Sequence, residues 1–416
     1  MGMDNKRILN LAYEAGSIML ENGAEISRVE DTIQRIAGHY GFDDMNVFVL
    51  SNGIIATADT YARSKFIPIR GSSLDKVVAV NQLSRDVTQG KCDDIDQLEE
   101  RIRQIRAMKN KPALEQIIAS ALGSAAFCII FGGSFFDSLI SMAAGLLLWV
   151  FMIYVGHRHL SRIVSTVIGG IIATFFSIGM YRLGLGSHLS NIIIGSIIPL
   201  IPGLSFTNGI RDLANEDYLS GITRLLDAML TFLCIALGVA FSFVIDDAIF
   251  GKMHVLASLA ASEETAALYV QLPAAFIGTL AFAVLFGVPR KYYLSCGLCG
   301  TLGWLLYLLL LNNTSLSSLL VVFLSAALVA AVALVQSIIS KCPSTVFLIS
   351  GLFPLVPGAG IFWTTYNIVS NRLGDALHTG FMAIKITIAI AFGILIVMEI
   401  NSKKRIGHRL VKRSKK

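Results

Sequence analysis

The sequence predicts a polytopic α-helical membrane protein. About ten transmembrane helices form two inverted five-helix repeats behind a small α+β cytosolic amino-terminal domain. Three observations predict this. Of 416 residues, 54% are hydrophobic and 15% charged, against about 25% charged in soluble domains, and mean hydropathy is +0.68. Charge is also partitioned: residues 1–112 hold 16 acidic and 15 basic side chains, residues 113–400 hold 23 charged side chains in all, and residues 401–416 hold eight Lys or Arg and no acid. Finally, Ser196-Ile-Ile-Pro199-Leu-Ile-Pro202-Gly203 returns as Gly351-Leu-Phe-Pro354-Leu-Val-Pro357-Gly358, with both prolines and the glycine offset by 155 residues. This arithmetic excludes a secreted domain, a fibrous or disordered chain and an ordinary cytosolic enzyme. The net charge of +6 resides in the tail beside a hydrophobic run, so it fits a membrane surface and not nucleic acid.

Residues 1–112 have soluble composition. Residues 1–22 carry Asp4, Lys6, Arg7, Glu14 and Glu21 in a helical pattern, with no uninterrupted apolar core of the kind a secretory signal needs. Asp4–Glu21 and Ser27–His39 have apolar residues near a 3.6 period, with Asn22-Gly23 a stop between them. Met45–Leu50 and Gly53–Thr60 read as strands about the turn signal Ser51-Asn52-Gly53, and Lys65–Ile69 as a third. Leu74–Thr88 and Ile95–Met108 return to helix. Catalysis in this domain would have to use Ser27, Glu30, Asp31 and His39. Polar residues in that array are more often a solvated helix face, and no phosphate-cradling loop is present.

Ten spans follow, at 114–132, 135–155, 161–181, 188–210, 219–245, 266–288, 291–311, 317–340, 344–366 and 375–400, each near the length that crosses about 30 Å. Residues 113–246 form the first repeat, 247–265 an extracytoplasmic linker, 266–400 the second repeat and 401–416 a basic cytosolic tail. The bases favour one orientation. With the head inside, cytosolic gaps hold Arg158, Arg162, Arg211, Arg224, Arg290, Lys291 and Lys341. Outside gaps hold Arg182, Lys252 and Arg372 with Asp246, Asp247, Glu263 and Glu264. Both termini are then cytosolic. Five spans is an odd number, so the second unit is inverted relative to the first, a recurrent build of secondary transporters. The cysteines are scattered, and Cys296 and Cys299 lie in an apolar span without His or a second pair, which suits packing better than metal or redox chemistry. Gly169, Gly170, Gly297, Gly300 and Gly303 suit close helix approach.

Candidate chemistry lies where helices break. Two prolines three apart before a glycine open a turn, tolerable at membrane depth only inside protein or beside water. Pro199, Pro202 and Gly203 open one such turn, and Pro354, Pro357 and Gly358 the other. Half-helix ends offer a positive pole to a carboxylate and carbonyls to a cation. Thr207, Asn208 and Arg211 extend the first break, beside Ser205 and Asp212. Tyr366 and Asn367 extend the second, beside Thr364 and Thr365. Asp227 and Lys385 are ionisable residues inside spans, expensive there unless paired or hydrated. Asp227 is the candidate for a proton or ammonium, with Arg224 one turn away as a neutralising neighbour and Lys385 as counter-charge or carboxylate partner. Asp137 and His188 read as interfacial.

The stretch Gly23-Ala24-Glu25-Ile26-Ser27-Arg28-Val29-Glu30-Asp31-Thr32, followed by Val47-Phe48-Val49 and Asn52-Gly53-Ile54, resembles the amino-terminal domain of the bacterial threonine/serine exporter family. The paired breaks in a five-plus-five layout are similar to its membrane part, here in fused form. The resemblance implies proton-driven efflux of small polar metabolites, with dicarboxylates such as succinate exported by one branch. It supplies no catalytic set. The expectation is therefore a multi-pass cell-membrane secondary transporter exporting threonine, serine or a similar amino acid with protons. It needs no cofactor or metal, touches lipid, and as a homo-oligomer or alone builds its central site at the two breaks. A dicarboxylate exporter, with Lys385 and Arg211 both lining the cavity, is the alternative within transport. A membrane-anchored hydrolase using the head and a passive channel are the alternatives outside it.

Overall fold

The computed structural model describes residues 3–58, 61–68, 71–251 and 266–413. The head contains helices α1 (Met3–Glu21) and α2 (Ile26–His39), strands β1 (Asn46–Leu50), β2 (Gly53–Ala58) and β3 (Tyr61–Phe66), then helices α3 (Leu74–Thr88) and α4 (Ile95–Ala107). The sheet is antiparallel in the order β1-β2-β3. Leu50 faces Gly53 across the first turn, and Ala58 faces Tyr61 across the second. The third strand therefore starts four residues before the predicted Lys65–Ile69. Its register is set by the hairpin, which pairs polar residues Arg63 and Ser64 with β2 although their own apolar pattern is weak. Residues 59, 60 and 69, ends of two predicted strands, lie outside the described residues, as does residue 70. Leu9, Tyr13, Ile26, Ile33 and Ile54 are among the buried core side chains, and the Tyr13 hydroxyl donates to the Ile54 carbonyl at 3.1 Å. Glu30 accepts from the Val49 N–H at 3.1 Å, tying α2 to the sheet.

Among the described residues, eight helices are long and apolar enough to cross a membrane, and up to ten if each of two bent pairs is one span. Spans 1, 2 and 3 are Ala113–Ile130, Phe135–His159 and Arg162–Arg182. Span 4 is Leu189–Leu200 with Gly203–Ala214, and span 5 is Tyr218–Phe250. Spans 6, 7 and 8 are Leu268–Leu285, Arg290–Asn313 and Ser318–Ser340. Span 9 is Thr345–Leu355 with Gly358–Val369, and span 10 is Leu373–Ile400, in a helix continuing to Arg413. Each predicted span overlaps one of these helices or bent pairs, and the two carrying the proline repeat are the two that bend, by 63° and 43°.

The head rests on one end of the bundle. The N–H groups of Leu74 and Asp75 donate to the carbonyls of Phe286 and Gly287, at 3.1 and 2.8 Å, so α3 begins where span 6 stops. The Gly23–Ser27 loop meets the last turns of span 4. At the opposite end Arg182 pairs with Asp246 at 2.6 Å. There too His188 lies 2.9 Å from Asp137, which completes a capping box with Ser134 at the start of span 2. Asp137, expected at an interface, is fully buried because the Ser187 and His188 N–H groups also reach it. Lys252, Glu263 and Glu264 lie outside the described residues.

Small residues let spans touch. A Cβ on Gly238 would stand 2.6 Å from the Val167 carbonyl and 3.0 Å from Gly170 Cα, so spans 3 and 5 meet backbone to backbone. Gly300 and Gly303 instead make room for side chains, those of Thr279 and Val329. Cys296 and Cys299 are buried and free, and Cys299 packs beneath Gly351.

Candidate functional site

Both breaks fold alike. A 3₁₀ turn holds the first proline, Pro199 or Pro354. The second, Pro202 or Pro357, then takes φ/ψ of −80°/57° or −75°/52°, the geometry of an inverse γ-turn. The following glycine N–H closes that turn on the carbonyl two residues back, Gly203 to Ile201 at 2.8 Å and Gly358 to Val356 at 2.7 Å. Proline supplies the φ and has no N–H to lose, which is why the sequence repeats it there.

The breaks pack on each other reciprocally. A Cβ on Gly203 would meet the Phe353 ring at 2.3 Å, and one on Gly358 would meet Ile198 at 3.1 Å and Ile201 at 2.9 Å. Ile198 and Phe353 are equivalent in the repeat, so each glycine lies under the same position of the other half. Phe353 is held from behind by Phe282, stacked at 3.7 Å between ring centres. Pro199, Pro202 and Pro354 are buried, and Pro357 is half-buried. Span 4 runs toward the head and ends on it, whereas span 9 starts beside the head, so the two breaks cross in opposite directions.

The charged residues gather at the head-facing end. Arg211 Nη2 lies 2.5 Å from Glu25 Oε2. Arg211 also donates to the Thr345 hydroxyl and, at 3.4 Å, to Ser344 Oγ. Thr345 donates in turn to Glu25 at 3.3 Å, and Arg28 donates to its other oxygen at 2.6 Å. Complete burial by itself would raise the Glu25 carboxyl, but the Arg211 and Arg28 guanidiniums outweigh it and hold the group below its ordinary value. Glu25 occupies the N-cap of α2 without capping it. Asp212 does so from the membrane part, its Oδ1 accepting the Ile26 N–H at 3.1 Å. Arg224 lies 3.0 Å from the other Asp212 oxygen and donates to the Ala24 carbonyl at 2.9 Å. Asn208 donates to the Gly23 carbonyl at 2.7 Å. Asn215 donates to Ser27 Oγ at 3.0 Å. Among the described residues, the buried Asn208 Oδ1 and Arg211 Nε have no hydrogen-bond partner, at a desolvation cost of about 1–3 kcal/mol for such a group.

Asp227 is not held by either cation the spacing suggests. Arg162 reaches both its oxygens at 2.8 Å, and Ser205 donates to it at 2.9 Å. Arg224 turns to Asp212 instead, because Asp212 is fully buried and more costly to leave unpaired than the half-exposed Asp227. Lys385 is exposed on the perimeter, its Nζ 5.7 Å from the Phe381 ring centre. Arg211, by contrast, is buried against the head loop. Thr207 is buried beside Asn208. Tyr366 and Asn367 are buried on the second break, where Tyr366 meets Phe362 and Trp363.

Of the four head residues considered for catalysis, Asp31 and His39 border one open surface pocket, but each of the four is bonded to a different partner. Ser27 receives Asn215, Glu30 receives Val49, Asp31 pairs with Arg35 at 2.7 Å, and His39 lies 2.9 Å from Asp93. Glu25, Asp212, Arg224, Ser344 and Thr345 were outside the predicted site set. A glutamate at a helix N-cap, where Ser, Thr, Asp and Asn are preferred, was the available signal for Glu25.

A family model described as a threonine/serine exporter matches residues 10–245. A second, described as "Threonine/Serine exporter, ThrE", matches residues 271–400. A threonine/serine exporter of Corynebacterium glutamicum is 23% identical over 406 residues, covering 92% of this chain and 79% of the relative. No solved structure matches. With matched regions spanning head, first repeat and second repeat, the chain belongs to the threonine/serine exporter family of membrane exporters and is not an enzyme.

Proposed function

We infer that the protein exports threonine, serine or another small polar amino acid across the cell membrane, from the head side to the far side, driven by protons. The reciprocal crossing of the two breaks carries this reading. Each second half-helix begins with amide groups that its own helix leaves unbonded, at the positive end of its dipole. Two such ends back to back make a site that either half can open by rocking against the other. Pro199, Pro202, Gly203, Pro354, Pro357 and Gly358 frame it, with Thr207, Asn208, Tyr366 and Asn367 on its walls. Positive-inside bias puts the head and both termini in the cytosol.

Asp227 is the coupling carboxylate in this reading. It is bonded to Ser205, two residues past the Gly203 turn, so exchanging Arg162 for a proton would alter the first break directly. Proteoliposomes loaded with amino acids and dicarboxylates, with and without an imposed pH gradient, test both parts. Threonine or serine efflux enhanced by the gradient is expected. Asp227→Asn should abolish the gradient's effect and leave substrate exchange. Full gradient-driven export by a well-folded Asp227→Asn protein would rule out the coupling role.

A further inference from the structure

Asn208, Arg211 and Asp212 stand at i, i+3 and i+4 of one helix, hence on one face. Together they complement a zwitterion. A guanidinium takes a carboxylate, and a carboxylate beside an amide oxygen takes an ammonium. Across from them, span 9 offers the hydroxyls of Ser344 and Thr345, one of which already bonds both Arg211 and Glu25.

The head's loop fills this cradle with matching groups. The Glu25 carboxylate lies on Arg211, and the adjoining Ile26 N–H lies on Asp212. A carboxylate and an N–H donor one residue apart thus sit where the two ends of an amino acid would sit. The match is incomplete: Asn208 Oδ1 and Arg211 Nε, both on buried side chains, have no partner among the described residues. An ammonium has three donors to place, whereas the Ile26 amide has one.

We propose that this cradle is where the exporter reads the carboxylate and ammonium of its substrate on the head side, and that the Gly23–Ile26 loop is a tethered competitor that occupies it when substrate is absent. The proposal rests on the amino-acid export reading. Substrate binding displaces Glu25 from Arg211 and releases the head from the end of span 4, so loading and unlatching are one event.

The test uses the full chain, with radiolabelled L-threonine binding in detergent and efflux from proteoliposomes. Glu25→Gln removes the competing charge and should bind threonine about tenfold more tightly than wild type, the scale of one charge-assisted hydrogen bond. Arg211→Gln should lose binding. Wild type should bind L-threoninamide, which lacks the carboxylate, at least about tenfold more weakly than threonine. The exchange of Glu25→Arg with Arg211→Glu separates a cradle from a simple structural pair. It restores opposite charges, so the head should dock, but it presents a carboxylate to the substrate's carboxylate and should not bind. Near-normal threonine binding by the exchanged variant, or unchanged affinity in folded Glu25→Gln, overturns the proposal. If the exchanged variant does not fold, the Glu25→Gln affinity decides alone. Should wild type export succinate and no amino acid, the export reading fails, and the same Glu25→Gln comparison with succinate decides the cradle. Should wild type export threonine while Glu25→Gln binds it as wild type does, the cradle alone fails.

Discussion

The two broken spans share a turn but not the residues that follow it. Past Gly203 come Asn208, Arg211 and Asp212, all buried and all in contact with the head or span 9. Past Gly358, the positions 155 residues on are Trp363, Tyr366 and Asn367, aromatic or amide and without charge. The backbone break is therefore common scaffold, required by both halves to cross at the centre. The ionic chemistry belongs to the first half alone, because only its end faces the head. An inverted pair cannot present both ends to one side.

Three experiments press on this comparison, beginning with the largest effect. Restoring helix at either break should stop transport, because a continuous helix satisfies its own backbone and offers none to a substrate. Proline to alanine recovers up to about 3 kcal/mol of helix propensity, so Pro199→Ala with Pro202→Ala, or Pro354→Ala with Pro357→Ala, should give stable protein with no efflux per folded molecule. Near-normal efflux from one double variant would make that break packing and end the equivalence.

Next, Asp212→Ala removes the cap of α2 and leaves Arg224 a buried unpaired cation, a loss of roughly 3–5 kcal/mol. The equivalent Asn367→Ala should change the thermal midpoint in detergent by far less. Equal losses would mean that the chemistry is not confined to the first half.

The smallest contrast is between the glycines. Gly203→Ala drives a methyl into Phe353, which Phe282 holds in place, at about 1–3 kcal/mol of overpacking. Gly358→Ala meets the movable ends of Ile198 and Ile201 and should be tolerated. Thermal midpoints of the two variants measure how rigid each side of the crossing is.

Much of this architecture was legible in the chain. Hydropathy located the membrane-length helices because a bilayer imposes length and composition on each helix separately, and Pro-x-x-Pro-Gly marked both bends because proline acts on its own backbone. The partners were not legible. Arg224 and Asp227 are three residues apart, yet one reaches Asp212 and the other Arg162, 65 residues away in sequence. Helical spacing gives the face a side chain leaves from. It does not give the competing charge on another span, nor the burial that ranks the competitors. Glu25 was hidden for the same reason, since its partners Arg211 and Thr345 come from the two different repeats.

The junction between α3 and span 6 has a mechanical consequence. With the Phe286 and Gly287 carbonyls accepting the first amides of α3, the two helices are spliced end to end through main chain. The head is thus a strut, welded to span 6 at this splice and pinned at its Gly23–Ser27 segment, to span 4 by Asp212 and Arg211 and to span 9 by Thr345. In the rocking motion proposed above, rotation of one half against the other could not be absorbed at the splice without breaking these backbone hydrogen bonds. On that proposal it would be taken up at the pin, and its amplitude would be limited by how far the pinned end can travel before the strut is taut.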